Sequence, residues 1–128
     1  NRLREQKSLS LQAKWRLAAA YALSGQVAIA KELVNRESID IQPYNGLYSS
    51  YGSMERDWAM LLETMVLLND NVRAATLTKK ISEALASSHW MSTQTTSFCL
   101  MAVSKFARLG NTSKKLSFSY KTGSGKTE

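Results

Sequence analysis

Cys99 and His89 are the only thiol and the only imidazole in the chain, so a thiolate nucleophile with an imidazole base could be built in one way only. Such a pair needs the base within hydrogen-bond reach of the sulfur. His89 stands ten residues before Cys99, on the far side of a helix start, and only tertiary folding could join them. Cys99 itself lies inside SFCLMAV, an apolar helical run in which a thiol is usually a small buried hydrophobe. One Cys and one His cannot make a metal cluster from soft ligands. Paired carboxylates are the remaining acid–base chemistry, and Glu55, Asp57 and Glu63 share one helix. Glu55 and Asp57 belong to its first turn, where acids complement the helix dipole, and Arg56 is expected to pair locally. The tail's GSGKT resembles the end of a phosphate-binding P-loop, but the full G-x-x-x-x-G-K-[ST] pattern requires Gly where Tyr120 stands. The sequence therefore assigns no catalytic, cofactor-binding or metal residue and no nucleotide partner.

Composition narrows the class further. The chain has 128 residues, 44% of them hydrophobic, with one Pro and one Cys, which suits one globular domain and excludes a disulfide scaffold or a collagenous repeat. The longest apolar stretch, WAMLLETMVLL from Trp58, is interrupted by Glu63 and falls short of the roughly 18 residues that span a bilayer. The formal charge of +7 is concentrated at the ends: residues 1–16 carry +4 and residues 105–128 carry +5, leaving −2 between them. A nucleic-acid binder gathers its charge on one face with aromatics among it, so no nucleic-acid partner is expected. The chain starts at Asn1 without a signal-peptide core and ends on KTGSGKTE, and is expected to be a piece of a longer sequence.

The elements that carry these residues are helical. Leu11, Trp15, Ala18 and Ala22 form one stripe over 10–24, which stops at Gly25, a residue suited to a left-handed cap. A second helix over 26–35 turns Val27, Ala30, Leu33 and Val34 inward, so the two form an αα-hairpin. Residues 36–53 contain Pro43, Asn45-Gly46 and Gly52, which break any helix, and Tyr44, Tyr48 and Tyr51, which favour draping over the surface. A second hairpin follows over 54–68 and 71–86, joined at Asn69-Asp70-Asn71. Its first helix is apolar nearly all round, as in a helix covered on several sides. Its second is narrower, with Val72, Ala75, Ile81, Ala84 and Leu85 inward.

Ser92 is placed to cap a fifth helix over 93–109 closed by Gly110, with Phe98, Leu100, Met101, Val103, Phe106 and Leu109 around most of it. Trp90 is expected to plug the join between the last two helices. Beyond Lys115 the period changes to two, with Leu116, Phe118 and Tyr120 alternating with serines. That reads as one strand, the first of a following β-domain. The spacing from Ala30 to Ala74 is 44 residues, too long for the roughly 34 of a tetratricopeptide repeat. Alternating helices that are apolar all round fit an α/α toroid better, so the fold class is all-α: αα-hairpins over 1–110 forming part of a toroid, then a linker and strand, or a disordered tail, over 111–128.

Two segments carry a family likeness. Tyr51-Gly52-Ser53, Arg56-Asp57, Ala59 and Leu62-Glu63, followed by a hairpin and then Trp90-x-Ser92-Thr93-Gln94-Thr95-Thr96, resemble the late part of the thioester-type domain of bacterial α2-macroglobulins. The AAAYALSG hairpin is also typical of that domain, and the resemblance covers roughly residues 10–110. It implies an α/α toroid inside a large periplasmic or cell-envelope protein, anchored in some cases to the membrane through the parent. Sandwich modules of the same polypeptide surround the toroid, and the strand at 116–120 opens the next of them. Members of the family trap proteases: cleavage of a bait region drives a conformational change, and in many members a Cys–Gln thioester then links to the attacker. The thioester motif is C-x-E-Q, whereas Cys99 is followed by Leu100-Met101-Ala102, so no reactive residue carries over. The resemblance thus implies a non-catalytic fragment of a broad-spectrum protease inhibitor, meeting proteases only through the full-length protein. A helical-repeat scaffold that binds another protein is the second reading. A toroid enzyme such as a lyase or prenyltransferase is the third, lacking an acid pair or metal set.

Overall fold

Four of the five helices start where a short polar side chain accepts from an otherwise orphaned backbone N–H. The hydroxyl of Ser10 accepts from the N–H of Ala13 and opens α1, Leu11–Leu23. Ser53 accepts from Arg56 and opens α3, Met54–Leu68. Asp70 accepts from Arg73 and opens α4, Asn71–Ala86, while Ser92 accepts from Thr95 and opens α5, Thr93–Gly110. Only α2, Val27–Val34, starts without a side-chain cap. It follows so closely on α1 that the turn itself places it. The structure is a computed structural model and describes residues 9–41 and 53–110, with Arg2, Glu5 and Gln6. Among these residues there are five helices and no strand, so the architecture is all-α. The Tyr-rich stretch 42–52 and the tail 111–128, with the expected strand at Leu116–Tyr120, lie outside the described residues.

The two hairpins turn in the same way. Gly25 and Asn69 both have positive φ, at 84° and 56°. The N–H groups of Gly25 and Gln26 bond to the carbonyls of Ala22 and Tyr21, and those of Asn69 and Asp70 bond to Val66 and Met65. This crossed pair of bonds is the Schellman arrangement, which satisfies the last carbonyls of a helix. Five residues after each left-handed position stands a fully buried alanine, Ala30 or Ala74, so the weak 44-residue likeness in the sequence corresponds to one hairpin geometry used twice. A Cβ on Gly25 would meet nothing within 4 Å, so the left-handed backbone alone decides a substitution there. Gly25→Ala is expected to lower stability by about 1 kcal/mol, and Asn69→Gly to raise it by several tenths. Denaturant midpoints check both signs; equal effects would remove the turn argument.

Three helices form a parallel row. Trp15 and Arg16 of α1 meet Thr64 and Glu63 of α3, and further along Ala19, Ala20 and Leu23 lie by Val66 and Leu67. On its other flank α3 runs beside α5 in step: Ser53 with Thr95, Glu55 with Cys99, and Glu63 with Lys105. α3 therefore sits between α1 and α5, whose backbones do not approach each other closely, while α2 packs mainly on α1 and α4 on α3 and α5. The central position explains why α3 needs apolar residues on several sides: Ala59, Leu61, Leu62, Met65 and Leu68 are all buried.

Two positions collect much of the remaining order. Trp15 is fully buried, its indole N–H donates to the Ser38 carbonyl at 3.3 Å, and the Arg73 guanidinium lies 5.1 Å from its ring centroid. Arg73 also donates to the carbonyls of Val34 at 3.0 Å and Glu37 at 3.4 Å and pairs with Asp70. One side chain of α4 thus closes the C-terminal end of α2 and pins the chain that leaves it. Residues 36–41 run on over the core, with Ile41 buried and Asp40 bonded to Lys80.

Several inward assignments need correction. In α4 the buried stripe is Ala74, Leu77 and Ile81, while Val72 is 81% exposed and Ala75 is also exposed. Ala74 and Leu77 share a face by helical period; Val72 and Ala75 are rotated off it. In α2, Val27 is exposed because it stands in the first turn, ahead of the face that Ala30 and Val34 bury. α5 is covered on one face only, through Thr95, Cys99 and Ala102, and leaves Leu100, Met101 and Leu109 exposed. Gly110 is its last helical residue rather than a cap beyond it. Trp90 is 81% exposed and plugs nothing, since the linker before Ser92 carries it outward.

Candidate functional site

The residues that could do chemistry converge where α3 and α5 begin. The hydroxyls of Ser53 and Thr95 lie 3.1 Å apart, and Ser92 donates to the same Thr95 oxygen at 3.0 Å. Ser53 and Ser92 each cap their own helix as well, so three hydroxyls join two caps into one network across 42 residues of sequence. Thr95 is buried, and its place in this network satisfies an oxygen that would otherwise be costly to bury. Thr96 and Ser97 turn their hydroxyls back onto the carbonyls of Ser92 and Thr93, and Gln94 is exposed. The polar run is thus occupied with holding a helix start in place.

Beneath it lies Cys99. The thiol is buried and donates to the Glu55 carbonyl at 3.5 Å. Burial, and then the charge of Glu55, push its pKa up to about 11 from an ordinary value of 9. His89 sits on the outside of the same corner, its ring 3.9 Å from the Glu55 carboxylate rather than on the sulfur. A nucleophile needs the opposite environment, one that favours the thiolate. Iodoacetamide at neutral pH should accordingly modify native Cys99 at least about a hundredfold more slowly than the unfolded chain, the two-unit rise alone supplying that factor in thiolate. Fast native labelling would restore the nucleophile. The sign with pH follows from the same shift: the neutral thiol favours the fold below pH 9, and that contribution is lost as pH rises toward about 11.

The acids of α3 are divided among separate partners. Glu55 faces His89, Asp57 is buried with Arg56 at 3.5 Å, and Glu63 takes Arg16 at 3.8 Å on one oxygen and Lys105 on the other. Glu55 and Asp57 do stand in the first turn, as read from the sequence, but the burial of Asp57 makes it more than a dipole partner. Among the described residues, no three His, Cys, Asp or Glu side chains group closely enough to hold a metal ion, and no helix is long and apolar enough to cross a membrane.

No protein-family model, curated protein or solved structure matches the chain. What the site can do is therefore argued from its geometry. Sequence reasoning found Ser92 as a cap and Arg56 as a local partner. It missed the Ser53–Thr95 contact and the double use of Glu63. The spacing of Glu63 within its own helix gives no signal of two cations arriving from α1 and α5.

Proposed function

We propose that the chain is a non-catalytic helical part of a bacterial α2-macroglobulin-like protease trap, the late portion of its thioester-type domain. The observation that carries this reading is the meeting of its two most distinctive segments. Ser53 belongs to the Tyr-Gly-Ser run and Thr95 to the Trp-x-Ser-Thr-Gln-Thr-Thr run, and their hydroxyls share one network. Two motifs that lock one corner of a helical layer explain why both occur in one sequence without either being catalytic. The parallel row α1, α3, α5, with α2 and α4 packed against it, is also the local arrangement that an α/α toroid repeats.

On this reading the chain's contribution is mechanical. It supplies a rigid helical block to a larger cell-envelope protein, whose other domains contain the parts that sense and capture a protease. The purified chain should then leave casein digestion by serine and metalloproteases unchanged, while the full-length parent slows it. Inhibition by the chain alone, or none by the parent, would defeat the proposal. A helical-repeat scaffold for another protein is the second reading, favoured by the open groove along α3.

A further inference from the structure

α3 is covered by α4 on one side and flanked by α1 and α5, and along its remaining side runs a groove of about 390 Å³. Its walls are Ala19, Ala20 and Leu23 of α1 and Val66 and Leu67 of α3. Leu23 is 74% exposed, although it stands on a helix whose neighbouring stripe is fully buried. The two small alanines leave room for another backbone to come close. At one end stand Arg16, Glu63 and Lys105. Glu63, 19% exposed, already has a cation at each oxygen, while Arg16 and Lys105 remain about half exposed, at 54% and 51%. Two cations over one carboxylate leave the end of an apolar trough with one net positive charge.

We propose that this groove binds an amphipathic α-helix whose apolar stripe carries a carboxylate level with Arg16 and Lys105. A trough between parallel helices receives the ridge of another helix, read as apolar anchors at i, i+3, i+4 and i+7. The charge then sets the register, because a carboxylate there completes a network of two cations and two anions, whereas a cation meets like charge. The inference does not depend on the protease-trap reading, since it uses only the shape and charge of this surface.

The test uses the full chain and a synthetic amphipathic helix of about 18 residues, long enough to hold helical structure, with leucines at the anchor positions and Glu on the stripe. A second peptide carries Lys in place of that Glu. The Glu peptide is expected to bind about tenfold more tightly at low salt, with the gap narrowing as salt screens it, and to shift the amide resonances of Ala19, Leu23 and Leu67. In the Arg16→Gln/Lys105→Gln variant only Glu63 remains, so the preference must reverse toward the Lys peptide. Both substitutions are at half-exposed positions, and circular dichroism checks that the helices persist. Equal affinity for the two peptides, an unchanged order in the variant, or shifts that map elsewhere would overturn the proposal. Self-association of the chain through the groove, seen by sedimentation before any peptide is added, would replace the helix by a second copy and overturn it as well.

Discussion

Trp15→Ala is expected to cost about 3–5 kcal/mol, the range for emptying a buried aromatic site. The indole is the largest fully buried side chain and lies in the core with Ala18, Ala30 and Val34. Alanine would leave a cavity lined by rigid helices and would release the Ser38 carbonyl, which now accepts the indole N–H. It would also strip the Arg73 guanidinium of its ring. For a domain of this size such a loss lowers the melting temperature by on the order of 20 °C. Thermal unfolding followed by circular dichroism measures it directly. A fall of only a few degrees would mean that Trp15 is not central to the packing.

Arg73→Ala is the second large effect, expected at about 2–4 kcal/mol. Hydrogen bonds from a charged donor are worth more than neutral ones, and removing the donor leaves the Val34 and Glu37 carbonyls to find water. The cation–π contact adds about 1 kcal/mol. The Asp70 cap survives, because it uses the backbone N–H of the same residue. Arg73→Lys should rescue little of the loss. An ammonium is a point charge, and it cannot reach two carbonyls and a carboxylate while lying flat over an indole. A double-mutant cycle with Trp15 should show coupling, since each partner's substitution disables the other. Full rescue by Lys would reduce Arg73 to a simple charge and remove its role as a planar clamp.

These two positions also show where sequence reading stops. The helices themselves were legible from the period of their apolar residues, from Ser92 as a cap and from Gly25 and Asn69-Asp70-Asn71 as turns, all of which are local signals. The Trp15 stripe was legible from its period. Arg73 was not, since its spacing to Asp70 announces only a local pair, and nothing local tells that its fork reaches the end of α2. Val72 misleads for a related reason: it is a bulky apolar residue on an amphipathic helix, yet the helical period rotates it off the face that buries Ala74, Leu77 and Ile81. Trp90 misled because an aromatic before a helix start is read as an anchor, and the path of the linker decides otherwise. Tertiary pairings such as Ser53 with Thr95 have no local signature at all.

Among the described residues the buried Cys99 thiol bonds to the start of α3, and the acids of α3 are each paired with a neighbouring basic side chain, so these groups help to hold the helices together. The chain's proposed contribution to a protease trap is therefore to transmit a change rather than to react. Small-angle scattering of the full-length parent, recorded before and after addition of protease, tests that most directly. An active protease should change the particle's dimensions, and the same protease with its active site blocked should leave them unaltered. A parent whose scattering is indifferent to active protease, or responds equally to the blocked enzyme, would contradict the account.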